Sequence, residues 1–298
     1  MSRIQEILAK AERDGTTRRT QTEDFTPSRA AAPRIDGTSA LDTFAPTSAP
    51  SSPVPLAPLA PQIPQAGASG PIAAVPVSTV APAEVRTAIA TLHPLLVAAI
   101  NPHSAVSEQY RSLRARISHR EETAALRTLM VTSPGARDGK SITTANLALT
   151  MAQEFQRRVV LVDGDFRGSS VHALFGLPAG PGLAELLAGD ATLDDVMVYM
   201  PDYRLTVIPA GKTPQFPTEL LGSVAMRRMV DTLRARFDRV LFDMPAVTPL
   251  ADVGTLAPLT DGVLMVVRAG VTLRPALNEA LAAFDEDKVL GVVLNDAK

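Results

Sequence analysis

The stretch Val131-Thr-Ser-Pro-Gly-Ala-Arg-Asp-Gly-Lys140-Ser141 decides the fold, because it lies between a short apolar run and a helical pattern. A strand, a tight loop and a helix that opens with Gly-Lys-Ser form an arrangement that binds nucleotide phosphates through backbone N–H groups. In such a loop the Lys140 ammonium reaches phosphate oxygens, and the Ser141 hydroxyl is suited to bind Mg²⁺. Pro134 stands where the general pattern has a glycine, six residues before the lysine. The location of Gly-Lys-Ser between a strand and a helix is therefore stronger evidence for phosphate binding than its match to the general pattern.

Three carboxylates follow apolar runs that predict strands. Asp163 and Asp165 end the segment Val-Val-Leu-Val-Asp-Gly-Asp, and Asp243 ends Val-Leu-Phe-Asp. In open α/β sheets, ligands bind outside the carboxyl ends of the strands, so these groups should converge with the loop. Such carboxylates hold Mg²⁺ or its water ligands, or take a proton from an attacking hydroxyl group. Each aspartate alone is equally suited to capping the following segment. Together with Gly-Lys-Ser, the three predict nucleotide binding.

The hydrophobic pattern predicts an α/β domain. Continuous rather than alternating apolar runs predict six strands, at residues 128–132, 159–162, 205–208, 240–242, 263–267 and 289–294. Helical patterns cover residues 104–120, 142–154, 183–187, 219–237 and 275–284. Buried strands that alternate with helices are typical of a mostly parallel sheet with helices on both faces. With the loop described above, this predicts a P-loop NTPase-like fold.

Upstream of this domain the composition changes. Twelve of the 25 prolines lie between Pro27 and Pro82, and large side chains are scarce there. Such a stretch buries too little apolar surface to offset the entropy of ordering, so residues 20–83 are predicted to be a disordered Pro/Ala/Ser-rich linker. A Pro-rich docking ligand is the alternative. Residues 1–19 predict a short amphipathic helix or a fraying N-terminus, and the globular domain is expected over residues 84–298.

The charge balance and the missing cysteine exclude several function classes. The 298 residues include 29 Lys and Arg against 31 Asp and Glu, and no Cys. Without cysteine there is no disulfide, thiolate metal site or cysteine nucleophile. A net charge of −2 gives no general attraction to nucleic acid. No stretch approaches the ~20 apolar residues that span a bilayer, so a cytoplasmic protein is expected.

Further motifs, in order and at matching spacing, resemble those of a known family. Asp163-x-Asp165-x-Arg167 is one, and the others occupy residues 171–178, 181–189, 217–221, 237–243 and 266–272. Over residues 88–296 the chain resembles the bacterial tyrosine kinases of capsule and exopolysaccharide synthesis, the BY-kinase or CpsD/CapB family. The resemblance implies a deviant P-loop kinase that uses ATP and Mg²⁺.

The resemblance implies roles for individual residues. Lys140 is expected to bind the phosphates and Ser141 to ligate Mg²⁺, while Asp165 and Asp243 orient the water ligands of the metal. Asp163 is expected to activate the acceptor tyrosine. The expected nucleotide-binding residues are Arg137, Asp138, Gly139, Lys140, Ser141 and Ile142.

The resemblance also implies partners. In the family, the cytoplasmic tail of a membrane adaptor switches on the kinase domain. This chain is therefore expected at the inner membrane, with a separately encoded polysaccharide co-polymerase as its adaptor. Glu108, Arg111 and Arg114 match a Glu-x-x-Arg-x-x-Arg helix that packs neighbouring subunits into a ring. A solvated basic helix, with Arg116 and Arg120, is the alternative.

Two departures from the family pattern bear on activity. Arg137 replaces a loop glycine that must approach phosphate closely or adopt positive φ, although a guanidinium there can add a phosphate contact. The tyrosines are Tyr110, Tyr199 and Tyr203, with no C-terminal cluster. A kinase-inactive, ATP-binding regulator of the same export machinery is therefore the alternative to an active kinase. A partition-type ATPase is disfavoured, because Gly135 stands where that group carries a second lysine.

Overall fold

The computed structural model describes residues 86–87, 91–121, 125–247 and 252–296. The helix predicted at residues 1–19 and the linker predicted at residues 20–83 lie outside these described residues. Over the described ranges, no helix combines the length and the apolar character needed to cross a membrane.

Eight strands form one sheet in the described part of the chain. They are β1 (Arg86–Thr87), β2 (Thr128–Thr132), β3 (Val159–Asp163), β4 (Val198–Met200), β5 (Leu205–Ile208), β6 (Arg239–Asp243), β7 (Gly262–Arg268) and β8 (Val289–Asn295). Their order across the sheet is β1-β4-β5-β3-β6-β2-β7-β8. Neighbouring strands run parallel except for β4 and β5. All six predicted strands are present, and the mostly parallel α/β fold is confirmed. The two additional strands, β1 and β4, are too short to give a hydrophobic pattern.

Helices occupy most of the connections between strands. They are α1 (Val97–Ile100), α2 (Ala105–Glu121), α3 (Lys140–Ala152), α4 (Val171–Leu174), α5 (Leu183–Ala188), α6 (Leu193–Val196), α7 (Pro217–Leu221), α8 (Val224–Arg236), α9 (Asp252–Leu256) and α10 (Arg274–Ala282). The prediction of a single helix at residues 219–237 is wrong, because the helix is interrupted at Gly222 and Ser223. The Ser223 hydroxyl accepts a hydrogen bond from Met226 N at 3.1 Å and so starts α8 as a new helix.

The core has two layers, one on each face of the sheet. In β3, Val160 and Val162 pack with residues of α8, whereas Val159 and Leu161 pack with residues of α3. Successive side chains of a strand point to opposite faces, so this division places helices on both sides. Burial on both faces explains why the strands are continuous apolar runs.

The strand order brings the predicted site residues to one edge of the sheet. β6 lies between β2 and β3, and Asp243 stands in register with both Val131 and Asp163. The carboxyl ends of these three parallel strands therefore lead into the Gly-Lys-Ser loop and the two acidic segments at neighbouring positions.

Candidate functional site

In the loop between β2 and α3, the Asp138 side chain holds the backbone in place through hydrogen bonds. Asp138 Oδ2 accepts a hydrogen bond from Gly135 N at 3.1 Å, and its Oδ1 accepts one from the Thr272 hydroxyl at 2.9 Å. The Asn295 side-chain amide donates to Asp138 O at 3.0 Å. Gly139 adopts a φ of 94°, and a Cβ there would collide with the Asn295 amide. Glycine is therefore required directly before Lys140.

Arg137 adopts a φ of 66°, in the left-handed region that a glycine would occupy without cost. Its side chain is exposed, and none of the described residues forms a hydrogen bond or ion pair with it. The loop therefore combines a strained backbone and an exposed guanidinium at the same residue.

Lys140 lies at the start of α3 with its ammonium turned toward the acidic segments. Its Nζ lies 2.6 Å from Asp165 Oδ2 and 3.2 Å from the Ser141 hydroxyl. Burial alone would lower the pKa of Lys140, but Asp243 and Asp165 outweigh it, and the pKa is raised above its ordinary value. Lys140 is therefore a fixed cation at the centre of the site.

Asp243 is fully buried and incompletely satisfied. The Thr144 hydroxyl lies between Lys140 O and Asp243 Oδ1, at 2.7 and 3.2 Å. The other carboxylate oxygen, Oδ2, has no hydrogen-bond partner within the part of the chain that the structure describes. Burial raises the pKa of Asp243 in spite of the nearby Lys140 charge and of the Ser141 and Thr144 hydroxyls, which act to lower it. A buried carboxylate oxygen without a donor is suited to a cation or a water that a cation binds.

Asp163 is also buried, and its oxygens are engaged within its own loop. Oδ1 accepts a hydrogen bond from Asp165 N at 3.1 Å, and Oδ2 accepts from the Ser169 hydroxyl at 2.9 Å and from Val171 N at 3.3 Å. Burial, and next the charge of Asp243, raise the pKa of Asp163 to about 7. A carboxylate with such a pKa gains and loses a proton near neutral pH.

The residues present fit Mg²⁺ and a nucleotide. The described residues include no group of three or more His, Asp or Glu side chains that could together hold a metal ion. Mg²⁺ commonly binds through few protein ligands and keeps several waters. The Ser141 hydroxyl, the orphaned oxygen of Asp243 and the buried Asp165 match such a water-rich site.

The other predicted nucleotide-binding residues occupy different parts of the loop. The Asp138 carboxylate is occupied by Gly135 of the loop and by Thr272, which leaves only its backbone for a ligand. The Ile142 side chain packs against the core, so it too can contribute only backbone groups. The sequence analysis missed Thr144, Thr272 and Asn295. Thr144 lies four residues after Lys140 on α3 and could have been found from helical periodicity.

The α2 residues that were predicted to contact neighbouring subunits form ion pairs within the chain. Arg111 pairs with Glu108 at 2.5 Å and also donates to Pro102 O. Arg114 pairs with Glu154 at 3.2 Å and donates to Thr150 O at 2.7 Å, which fastens α2 to the end of α3. Glu108 keeps 67% of its side chain exposed. It is therefore the most available of the three predicted contact residues.

The three tyrosines differ in accessibility. Tyr110 packs between α2 and α3, where burial raises the pKa of its hydroxyl despite nearby Thr143 and Asn146. Tyr203 packs against the core. Tyr199 lies on β4 and is 36% exposed. Each belongs to the folded domain rather than to a tail.

The chain is similar to proteins of one enzyme family. It is 33% identical over 206 residues to the tyrosine-protein kinase YwqD of Bacillus subtilis, covering 68% of this chain and 86% of that protein. It is 32% identical over 170 residues to the tyrosine-protein kinase CpsD of Streptococcus agalactiae, covering 56% of this chain and 74% of that protein. No model of a protein family matches the chain.

A solved structure supports the same assignment. The kinase domain of the Escherichia coli tyrosine kinase ETK superposes with a TM-score of 0.64 at 26% identity, covering 67% of this chain and 79% of that domain. The chain belongs to the family of bacterial tyrosine-protein kinases, related to those of capsule and exopolysaccharide synthesis.

Proposed function

We propose that this protein is an ATP- and Mg²⁺-dependent protein-tyrosine kinase that regulates polysaccharide synthesis and export. The observation that carries the proposal is the convergence of Lys140, Asp165 and Asp243 beside the loop, with one buried oxygen of Asp243 left without a donor. A purely structural cluster would satisfy that oxygen, because an unpaired buried polar atom costs free energy.

The residues of the site divide the work of phosphoryl transfer. Bound ATP and Mg²⁺ supply the phosphoryl group and much of the charge that stabilises its transfer. Lys140 provides a fixed positive charge for the phosphates, and the N–H groups of residues 137–142 are positioned by the bracing of Asp138. Ser141 would hold the metal, with Asp165 and Asp243 orienting its water ligands.

Asp163 is the proposed base for the acceptor tyrosine. Its pKa of about 7 matches the requirement that a general base exchange protons near neutral pH. The Ser169 hydroxyl now donates to Asp163 Oδ2, so an acceptor hydroxyl would take the place of Ser169 as the donor. Ser169 contacts the proposed base and not the phosphate loop, so replacing it with alanine should leave ATP binding unchanged.

Activity is tested with the full chain, Mg·ATP and a tyrosine-containing peptide, with and without the cytoplasmic tail of the adaptor. The expected result is ATP turnover and phosphotyrosine on the peptide, both lost in Lys140→Ala. Asp238→Asn, at the opposite edge of the sheet, is the matched control and should remain active. ATP binding without turnover under all conditions would contradict the kinase proposal.

A kinase-inactive regulator that binds ATP is the second candidate, and the loop favours it. Arg137 holds a backbone conformation that costs a non-glycine residue ~1–2 kcal/mol. The three tyrosines lie within the folded domain. This candidate predicts that the chain binds Mg·ATP and changes its assembly, with no phosphotyrosine in the peptide assay.

The proposed partners are a membrane-anchored adaptor and further copies of this chain. An adaptor would place the protein at the cytoplasmic side of the inner membrane. The exposed Glu108 supports a contact between subunits in a ring, while Arg114 holds α2 on α3. Charges that are repeated around a ring fix the register of its subunits more than they add affinity.

Light scattering tests the ring. Glu108→Arg should shift the oligomer toward the monomer in the presence of ATP and adaptor tail, whereas the exposed control Arg116→Glu should not. A wild type that stays monomeric at micromolar concentration, or an unchanged oligomer in Glu108→Arg, would contradict a ring built on α2.

A further inference from the structure

Asp252, which the sequence analysis did not single out, lies where the segments that follow three strands meet. It is the first residue of α9, and its side chain is 2% exposed. Its Oδ2 accepts a hydrogen bond from Arg167 Nε at 3.1 Å, and its Oδ1 accepts one from the Thr218 hydroxyl. Arg167 follows β3, Thr218 follows β5 and Asp252 follows β6. One carboxylate therefore connects the segments that leave three adjacent strands of the sheet.

Two of these segments carry the carboxylates of the site. Asp165 Oδ1 accepts hydrogen bonds from the N–H groups of Arg167 and Gly168, at 3.2 and 2.8 Å. Any displacement of Arg167 therefore reaches Asp165 directly through the backbone. Asp243 ends β6, and the same connection leads on to Asp252. The Arg167–Asp252 ion pair thus links the loop that holds Asp165 to the segment that begins at Asp243.

Stability alone does not account for this ion pair. The Asp252 carboxylate is 2% exposed, and burying a carboxylate is costly, so an apolar side chain at this position would usually stabilise the fold as well. An ion pair also fixes the relative orientation of its two partners, because a guanidinium and a carboxylate bind in a defined geometry. Asp252 has donors on both oxygens, one from the segment after β3 and one from the helix after β5, so its position fixes both of them.

We propose that Asp252 is a positioning residue, which holds Arg167 and thereby fixes the placement of Asp165 relative to Asp243. The inference rests on the proposed function, because this placement matters if both carboxylates orient the water ligands of Mg²⁺. Groups that orient the ligands of a metal site typically change its metal affinity ~10–100-fold when they are removed.

The fold contains a matched control at the other end of the same two strands. Arg158 precedes β3 and Asp238 precedes β6, and they pair with a distance of 3.3 Å between Nη2 and Oδ1. Asp238 Oδ2 also accepts a hydrogen bond from Arg158 N at 2.9 Å. This pair connects β3 to β6 as the Arg167–Asp252 pair does, but it lies far from the loop and the three carboxylates.

The test measures ATP binding by calorimetry in the presence of EDTA and in the presence of Mg²⁺. The variants are Asp252→Asn, Arg167→Gln, their double mutant and Asp238→Asn. We expect all four to bind ATP in EDTA within about twofold of the wild type. We expect the gain in affinity on adding Mg²⁺ to fall about tenfold in Asp252→Asn and in Arg167→Gln. The double mutant should lose no more than the worse single variant, and Asp238→Asn should keep the full gain.

Arg167→Gln keeps the proposal testable if Asp252→Asn folds poorly, because Arg167 is half-exposed. A full Mg²⁺-dependent gain in either single variant would make the pair merely structural and overturn the proposal. So would a double mutant whose loss is the product of the two single losses. A wild type that binds ATP without any gain from Mg²⁺ would instead contradict the proposed function, and the inference with it.

Discussion

The two ends of the parallel strands use aspartate in opposite ways. At the amino end, Asp261 precedes β7 and accepts hydrogen bonds from two backbone N–H groups at 3.0 and 2.8 Å and from Arg234 at 2.6 Å. Asp238 precedes β6 and accepts from both the side chain and the backbone of Arg158, which hold its pKa below the ordinary value. Both carboxylates therefore have their hydrogen-bond donors within the fold.

At the carboxyl end, the aspartates are buried together and share one cation. Burial raises the pKa of both Asp163 and Asp243, and their mutual repulsion adds to the effect on Asp163. Asp243 Oδ2 has no donor among the residues described, and Lys140 pairs with Asp165.

The difference separates structural aspartates from functional ones. The amino-end pairs connect neighbouring strands and are complete without a ligand. The carboxyl-end group holds more buried negative charge than its surroundings offset, and such groups cluster at functional sites. The same residue type at the same strand pair therefore has two roles, which are distinguished by burial and by the donors present.

The largest expected effect is at Lys140, the buried cation that pairs with Asp165 beside Asp243. Lys140→Ala should lower the affinity for Mg·ATP at least ~100-fold, because the charge that faces the phosphates is removed while three buried carboxylates remain. Lys288→Ala, at the amino end of β8, should bind as the wild type does. Calorimetric titration of both variants measures this. An unchanged affinity in Lys140→Ala would make the Gly-Lys-Ser turn a structural helix start.

A second prediction follows from the raised pKa of Asp163. Its folded-state pKa of about 7 lies above the ordinary 3.8, so between these values the folded protein binds the proton more tightly. The stability from this group is fully present below pH ~4 and is lost as pH rises through ~7, on the order of 2–4 kcal/mol in all. The lowered pKa of Asp238 acts in the opposite sense, and its contribution is lost as the pH falls through the acid range.

Urea unfolding in EDTA between pH 4.5 and 8 measures the effect of Asp163. The difference in unfolding free energy between Asp163→Asn and the wild type should shift in favour of the variant as the pH rises. A difference that stays constant across this range would show that Asp163 is ionised throughout and would remove the main contrast between the two ends.

Much of this arrangement could be predicted from the sequence, and the reasons are local. The strands are continuous apolar runs, and the three aspartates end them, so a parallel topology brings them together. The contacts of Asp252 and Asn295 could not be predicted, because their partners lie 85 and 157 residues away. The orphaned oxygen of Asp243 depends on burial on all sides, which no local pattern reports.

The third prediction is that two substitutions of aspartate by asparagine change the unfolding free energy in opposite directions. Asp243→Asn should stabilise the metal-free protein at pH 8 by ~1 kcal/mol, because a buried and incompletely paired charge is removed. Asp261→Asn should destabilise it by ~1–3 kcal/mol, because charge-assisted hydrogen bonds from Arg234 and two backbone N–H groups are weakened. Thermal and urea unfolding of both variants check the signs. Equal destabilisation by both would mean that Asp243 is as well satisfied as Asp261.

The smallest expected effect concerns backbone strain, which also occurs at both ends. Arg137 in the loop has a φ of 66°, and Gln156, in the turn before β3, has a φ of 58°. Glycine at either position relieves ~1–2 kcal/mol of strain but gives back ~0.5–1 kcal/mol through the greater freedom of the unfolded chain. Arg137→Gly and Gln156→Gly should therefore each raise the unfolding free energy by ~0.5–1 kcal/mol, while Arg137→Ala, which keeps the Cβ, should not. If the Arg137 guanidinium contacts phosphate, Arg137→Gly and Arg137→Ala lose ATP affinity equally, and Gln156→Gly loses none. An Arg137→Gly variant that gains stability and keeps its full affinity would make the strain at the loop as incidental as the strain at the turn.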